Sequence, residues 1–130
     1  MFRTRNLILA AAAMLAVVLG GTSGASAAPA SAAPPGCTAG YLCLWPSGTS
    51  SGPVRISGSL PDWSVIIVSS CPGGMLAGCP LSAAFNNGIN CTAHLYTLAN
   101  YVGARLDIPR ATLVNLSGGS GNRFASNNWC

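Results

Sequence analysis

His94 is the only histidine in the chain and therefore the first residue to consider for acid–base chemistry. Asp62 and Asp107 are its possible carboxylate partners, and serines are abundant, so the residue types of a Ser–His–Asp arrangement are all present. The sequence offers neither paired carboxylates nor a nucleophile elbow, which needs a helix after the serine turn. We therefore expect His94 to be an exposed or hydrogen-bonded strand residue, and we expect the protein not to be an enzyme.

Six cysteines form a second set of reactive side chains: Cys37, Cys43, Cys71, Cys79, Cys91 and Cys130. An even number in a small exported domain predicts three disulfides, because a core of this size is marginal by itself. Zinc is the alternative, but the chain has no Cys-x-x-Cys pair and only one histidine, so we expect no metal site. The sequence alone allows about 15 pairings. We favour two local loops, Cys37–Cys43 and Cys71–Cys79, and one long loop, Cys91–Cys130.

Short strands of β-branched and aromatic residues must position these side chains. Clusters of Gly, Pro, Ser and Asn separate the strands, and Asn87-Gly88 is typical of a tight turn. The predicted strands are 41–45, 54–57, 63–68, 93–98, 104–108 and 112–116. No helical apolar period occurs among them, so we predict one small all-β sandwich.

One pattern occurs twice, and its second copy follows the first after 51 residues. Trp45 is followed seven residues later by Gly52, Tyr96 is followed seven residues later by Gly103, and a leucine precedes each ring. Each copy fits a β-hairpin in which the aromatic residue covers the fold and the glycine takes a positive φ. The repetition predicts two consecutive Greek keys.

Residues 1–27 have the features of a secretory signal peptide: two arginines, an apolar run and then small residues up to Ala27. The apolar run is shorter than the roughly 20 residues that a membrane span requires, so we expect no membrane insertion after cleavage. Residues 28–36 are mainly Ala, Pro and Ser, which predicts a flexible tail. Residues 37–130 would then form the secreted, extracellular domain.

Loss of this leader would lower the formal net charge from +4 to +2, because Arg3 and Arg5 are two of the six basic residues. Four arginines and two aspartates remain, with no Lys and no Glu. So few and so scattered charges exclude a nucleic-acid footprint and do not indicate a membrane surface. The absence of Lys beside abundant Ala and Gly is typical of a GC-rich bacterial genome.

The spacing Tyr-x-x-x-x-Tyr-x-Gly, from Tyr96 to Gly103, resembles the Greek-key signature of βγ-crystallins. Further motifs are similar to those of secreted actinomycete proteins, the Streptomyces metalloproteinase inhibitor family; they are Gly40 to Trp45, Asn86-Asn87-Gly88 before Cys91, and Ser126 to Cys130. The resemblance covers 37–130 and implies a disulfide-bonded, βγ-crystallin-like sandwich with Greek keys at about 37–90 and 91–130. It also implies an inhibitor of thermolysin-like zinc proteases.

In that family the reactive peptide bond is associated with the cysteine that opens the second Greek key, which the resemblance places at Cys91-Thr92. A disulfide-held loop with Ile89 and Asn90 beside this bond would present an extended backbone to the protease cleft. Thr92 departs from the bulky apolar residue that thermolysin-like enzymes prefer after the cut. The alternative is that Cys91 is only a structural bridgehead.

Calcium is the ligand that the crystallin resemblance suggests, and the two expected motifs are degenerate. The C-terminal copy, Gly121 to Ser126, lacks the first acidic or amide side chain and the penultimate hydroxyl. The N-terminal copy has Gly78-Cys79 where carboxylates are expected and Ser82-Ala83 in place of two hydroxyl residues. Ca²⁺ takes about six to eight oxygen ligands, and the two degenerate motifs lack several of the side chains that would supply them. We therefore expect no calcium and no other cofactor.

Trp63 is the remaining candidate for a partner contact, and a Trp beside a β-branched run is more often a core residue. The sequence thus predicts a monomer that binds an extracellular metalloprotease. The alternative is a crystallin-fold antimicrobial or killer-toxin-like protein that acts on competitor cells. A third hypothesis is a purely structural extracellular protein.

Overall fold

The structure is a computed structural model that describes residues 29–117 and 122–130. Within them the chain forms β1 (Leu42–Pro46), β2 (Val54–Ile56), β3 (Leu81–Asn86), β4 (Ala93–Leu98), β5 (Val102–Ile108), β6 (Leu113–Asn115) and β7 (Ser126–Trp129). Three 3-10 helices lie at Trp63–Val65, Pro72–Gly74 and Ala99–Tyr101. The all-β prediction is confirmed. The predicted signal peptide, residues 1–27, and Gly121 of the calcium motif lie outside the described residues.

The strands form two antiparallel sheets, and each half of the chain contributes to both. The first sheet has the order β2-β1-β3-β6, and the second has the order β5-β4-β7. Strand β6 comes from the second half of the chain but pairs with β3. In the opposite direction, Leu60 from the first half bridges to Asn127 of β7. The two halves are therefore interlocked by exchanged segments.

The core contains residues from both sheets at alternate strand positions, as a half-buried sheet requires. Leu42 and Leu44 of β1 and Leu95 of β4 are fully buried. Trp63 is also fully buried, and its indole Nε1 donates to Asn127 Oδ1 at 2.8 Å. Trp63 is therefore a core residue, as expected. No helix in the described ranges is long and apolar enough to cross a membrane.

The β-branched run 63–68 does not form the predicted strand. Asp62 accepts a hydrogen bond from the Ser64 backbone N–H at 2.8 Å and caps the 3-10 helix Trp63–Val65. Ile67, the next residue but one, makes only an isolated bridge to Met75. A local side-chain cap thus outweighs the intrinsic β-propensity of the run.

The repeated glycine adopts the predicted conformation in one copy only. Gly103 has φ +91° beside the tight β4–β5 turn, in which Asn100 and Tyr101 also have positive φ. Gly52 is not among the residues with positive φ; in the longer β1–β2 connection Gly48 has that role, with φ +75°. The second hairpin is short enough to need the left-handed residue at its end, whereas the first distributes its reversal over more residues.

Strands β3 and β7 are absent from the predicted set. Strand β3 contains Ala83, Ala84 and Asn86, and β7 begins with Ser126 and two asparagines, residue types that are depleted in strands. Both become strands because they have neighbours on both sides: β3 lies between β1 and β6, and β7 pairs with β4 and bridges to Leu60.

The three disulfides are those expected: Cys37–Cys43, Cys71–Cys79 and Cys91–Cys130. They close segments of very different length, with sequence separations of 6, 8 and 39. Three disulfides are compatible with an extracellular protein. Ahead of the first cysteine, the N–H of Ser31 donates to the carbonyl of Ala111 at 2.8 Å, so the Ala/Pro-rich segment touches the domain.

Candidate functional site

Residues 87–92, which we call the crossing loop, join β3 to β4 and carry the chain from the first sheet to the second. The loop contains all four residues predicted to bind a partner. Ile89 and Asn90 are exposed, and 69% of the Ile89 surface is accessible. Cys91 and Thr92 are half-buried. The exposed part of the predicted site is therefore the dipeptide that precedes the cysteine.

Asn86, the last residue of β3, holds both ends of this exposed dipeptide. Its side chain is fully buried, and its Oδ1 accepts from the Gly88 N–H at 2.8 Å. Its Nδ2 donates to the Cys91 carbonyl and to the Ile108 carbonyl, both at 2.8 Å. The Asn86 amide thus makes three hydrogen bonds. Because burial already restricts this side chain, forming them costs little further entropy, and they fix the distance between Gly88 and Cys91.

Gly88 is buried because the indole ring of Trp129 covers it. A Cβ at this position would overlap the Trp129 ring and lie 2.8 Å from Asn86 Oδ1. The ring is fixed by its Nε1, which donates to the Gly58 carbonyl at 2.7 Å. Glycine is therefore required here for a close approach, and not for the tight turn that Asn87-Gly88 suggested.

Two further contacts fix the first half of the crossing loop. The Nε of Arg110 donates to the Gly88 carbonyl at 3.1 Å. The side chain of Asn87 donates from Nδ2 to the Cys37 carbonyl at 3.0 Å, which ties the loop to the disulfide Cys37–Cys43.

The second half of the loop is fixed by the C-terminal strand. Cys91 is bonded to Cys130, and the Cys130 backbone N–H donates to the Thr92 carbonyl at 3.0 Å. The carbonyls of Cys91 and Thr92 are thus both hydrogen-bonded within the protein. None of the hydrogen bonds found within residues 29–117 and 122–130 involves the backbone of Ile89 or Asn90.

A shallow groove of about 360 Å³ lies beside the exposed dipeptide. It is lined by Gly40, Gly58, Ser59, Gly88, Ile89, Asn90, Cys91 and Trp129. Four of these residues belong to the crossing loop, so the loop and the groove form one continuous surface.

His94 lies on β4, on the outer face of the second sheet, opposite Asp107 of β5. Its Nδ1 is 2.6 Å from Asp107 Oδ1, and Arg105 Nε is 2.8 Å from the same oxygen. The hydrogen bond with His94, followed by the charge of Arg105, lowers the pKa of Asp107 below its ordinary value. Asp62, the other possible partner, instead accepts from the Ser64 N–H, which lowers its pKa. His94 is therefore a hydrogen-bonded strand residue, one of the two roles expected for it.

One serine motif was overlooked in the sequence: Gly48-Thr49-Ser50-Ser51-Gly52 matches the Gly-x-Ser-x-Gly spacing. It lies in the β1–β2 connection, is followed by β2, and has no helix after it. Ser50 is exposed, and within the described residues no serine hydroxyl makes a hydrogen bond to His94. The match thus lacks the strand–turn–helix context of a nucleophile elbow.

The two degenerate calcium motifs contact each other through a cation. The guanidinium of Arg123 donates to the Gly78 carbonyl at 2.7 Å, and Pro80 bridges to Arg123. Within the described residues, no group of three or more His, Cys, Asp or Glu side chains is placed to hold a metal ion.

Sequence reasoning missed the residues that shape the site: Asn86, Arg110 and Trp129. All three contact Gly88: Asn86 lies two residues before it, whereas Arg110 and Trp129 come from distant positions in the chain. Two signals were available: Asn86-Asn87-Gly88, whose glycine was interpreted as part of a turn, and Ser126 to Cys130, which was noted only for its resemblance to the inhibitor family. No protein-family model, curated protein or solved structure matches this chain.

Proposed function

We propose that the protein is a secreted, non-enzymatic inhibitor of zinc metalloproteases that binds its target through the crossing loop. The observation that supports this most directly is the exposed dipeptide Ile89-Asn90, held at both ends by Asn86 and anchored by Cys91–Cys130. A segment with this shape can enter a protease cleft as a substrate does.

Preorganisation is the physical basis of this proposal. A flexible peptide loses conformational freedom when a cleft binds it, which costs about 1 kcal/mol for each side chain that becomes ordered. In the crossing loop much of this ordering is complete before binding, because buried hydrogen bonds and a disulfide already fix Gly88 and Cys91. More of the contact energy is then available for affinity.

We further propose that the domain is a βγ-crystallin-like sandwich of two Greek keys. The exchange of segments between the sheets supports this assignment, with β6 in the first sheet and the Leu60 segment beside β7 in the second. A shared fold hosts several functions, so the choice of a zinc protease as the target rests on the sequence resemblance and not on the architecture.

Export to an extracellular space completes the proposal. The predicted leader, residues 1–27, supports it, and so do three disulfides, which persist in oxidising compartments. The partner is then an extracellular protease, bound by one copy of the domain.

The test is a titration of the disulfide-bonded secreted chain against a thermolysin-like enzyme, with residual peptidase activity as the readout. A trypsin-like serine protease is the matched control enzyme. We expect stoichiometric loss of metalloprotease activity and little effect on the control. Full activity at micromolar excess of the protein would overturn the proposal. Growth arrest of bacterial or yeast cells by the same sample, without inhibition, would favour the antimicrobial alternative.

A further inference from the structure

We infer that the protease engages Ile89 and Asn90, and not the Cys91-Thr92 bond, and that the Ile89 side chain determines which proteases are inhibited. This inference rests on the proposed inhibitory function and specifies the contact within it. Three observations carry it: the direction of the loop carbonyls, the span of the Asn86 contacts, and the exposure of Ile89.

The carbonyls on either side of Thr92 are directed into the protein. Cys91 O accepts from the buried Asn86 Nδ2 at 2.8 Å, and Thr92 O accepts from the Cys130 N–H at 3.0 Å. If the Cys91 carbonyl turned towards a catalytic zinc, it would leave a buried donor of Asn86 without a partner. Such a donor costs about 1–3 kcal/mol, which opposes binding in this register. The Gly88 carbonyl ahead of Ile89 accepts from Arg110 Nε at 3.1 Å, but Arg110 is exposed, so water can replace that carbonyl and no buried donor is left without a partner.

Asn86 straddles the exposed dipeptide. It binds the Gly88 N–H on one side and the Cys91 carbonyl on the other. Hydrolysis of a peptide bond between these residues would add one water molecule and leave a carboxylate and an amine. Gly88 and Cys91, on either side of the new ends, would remain hydrogen-bonded to Asn86, so recondensation with release of that water would compete with departure of the ends. The residues on both sides of the Cys91-Thr92 bond are held by Cys130 instead, so the direction of the Cys91 carbonyl, and not the anchoring, separates the two registers. Asn86 is therefore a positioning residue for the inhibitory segment.

Ile89 is the only large apolar side chain at the exposed dipeptide, and 69% of its surface is accessible. Gly88 and Asn90 on either side of it contribute no apolar side chain. Residues that dominate binding energy fill well-packed, desolvated pockets of the partner, and an exposed apolar side chain on a rigid support can fill an apolar pocket of this kind. The partner is therefore a protease whose main specificity pocket is apolar.

The decisive experiment measures inhibition constants for Ile89→Ala and Ile89→Asp against the same thermolysin-like enzyme. Loss of methylene groups from a side chain that fills an apolar pocket weakens recognition by roughly 10–200-fold. We expect a loss of affinity in that range for Ile89→Ala and a larger loss for Ile89→Asp. Ile67→Ala is the matched control, since Ile67 has the same side chain and is 77% exposed beside a different disulfide. The control Ile67→Ala should stay within about twofold of the wild type, inside the scatter of such measurements. Thr92→Val distinguishes the two registers: the bulkier apolar side chain should strengthen inhibition if the Cys91-Thr92 bond enters the cleft, whereas this inference predicts no such gain.

The outcomes separate the two proposals. If the wild-type protein does not inhibit, the proposed function fails. If it inhibits and Thr92→Val changes the inhibition constant while Ile89→Ala does not, the function stands and this inference is wrong. Because Ile89 is exposed, its variants should unfold at the wild-type temperature, and a lowered midpoint would show a folding defect instead.

The site of slow cleavage gives a second readout on a non-reducing gel. A cut between Gly88 and Cys91 yields two pieces that share no disulfide, since Cys37–Cys43 and Cys71–Cys79 precede it and Cys91–Cys130 follows it. A cut at Cys91-Thr92 yields pieces that stay joined through Cys130. We expect two bands without reductant, and a nicked chain that separates only on reduction would overturn the inference.

Discussion

Two exposed isoleucines, Ile67 and Ile89, lie near disulfides but differ in what holds their backbone. Ile67 bridges to Met75, in the segment that Cys71–Cys79 closes. Next to this bridge the Val68 N–H donates to the Gly74 carbonyl. Ile89 has no backbone pairing within the described residues, and the hydrogen bonds that fix it are made by its neighbours and the Asn86 side chain.

The difference shows how a protein exposes peptide groups without disordering them. Around Ile67 the backbone pairs with the Met75 segment, so only the apolar side chain is available to a partner. Around Ile89 the amide of Asn86 replaces the pairing strand and bonds residues on either side, which leaves the backbone N–H and carbonyl groups of Ile89 and Asn90 free for a partner. Exposure of an apolar side chain is common to both regions and therefore identifies neither.

Removing one disulfide at a time should give the largest difference between the two regions. In Cys91→Ala/Cys130→Ala the freed loop spans 39 residues, so we expect the free energy of unfolding to fall by about 4 kcal/mol. Inhibition should be lost as well, because the second end of the crossing loop is released. Guanidinium unfolding and the inhibition constant at low temperature measure the two effects.

The matched pair is Cys71→Ala/Cys79→Ala, which frees a span of only 8 residues. Chain entropy accounts for about 2.5 kcal/mol there. Loss of two buried sulfur atoms adds to this, since Cys71 and Cys79 lie in the core. Inhibition per folded molecule should persist. Equal loss of inhibition in both double variants would contradict the distinction between the two regions.

Glycine replacement gives the next largest effect. In Gly88→Ala the new Cβ would overlap the Trp129 ring, and overpacking of this kind lowers stability by about 3 kcal/mol. In Gly73→Ala, within the Cys71–Cys79 segment, the φ of +79° is strained for alanine but no atom lies within 4 Å. We expect a cost of about 1 kcal/mol there.

Urea unfolding of the two glycine variants measures these costs. The tryptophan fluorescence should change in Gly88→Ala because Trp129 is displaced, and it should not change in Gly73→Ala. Equal destabilisation by the two substitutions would mean that Trp129 does not constrain the crossing loop.

Acid titration should give the smallest difference, since Asp107 is exposed and Asp62 is only half-buried, so solvent screens both carboxylates. Asp62 lies ahead of the Ile67 region, and Asp107 faces His94 on the strands that follow the crossing loop. The Ser64 backbone N–H lowers the pKa of Asp62, and the hydrogen bond with His94 lowers that of Asp107, both from an ordinary value of 3.8. Their stabilising contributions are complete above pH 3.8 and are lost as the pH falls through the lower folded-state pKa values.

Carbon-detected NMR titration of the two carboxyl groups, with unfolding measured from pH 2 to 6, checks this sign. Asp62→Asn and Asp107→Asn should each flatten the acid side of the stability profile. A variant that steepens it would contradict the direction of the shift.

Local signals predicted what depends on neighbouring residues. Strand β4 was predicted at its observed bounds, since His94 alternates with Ala93 and Leu95, which are fully buried. Two of the disulfides, Cys37–Cys43 and Cys71–Cys79, also depend on neighbouring residues. Their cysteines are close along the chain, so pairing them costs little entropy. The strand predicted at 63–68 is wrong because one side chain, Asp62, captures the backbone there.

Long-range packing decided the rest, and the crossing loop shows why. Composition and spacing determined an all-β, disulfide-bonded chain, and the resemblance to an inhibitor family drew attention to Ile89, Asn90, Cys91 and Thr92. Only the tertiary structure buries Asn86 and lays Trp129 over Gly88. Burial removes the competing water and makes an asparagine amide a lasting partner for distant backbone groups, and no local sequence pattern encodes burial of that kind.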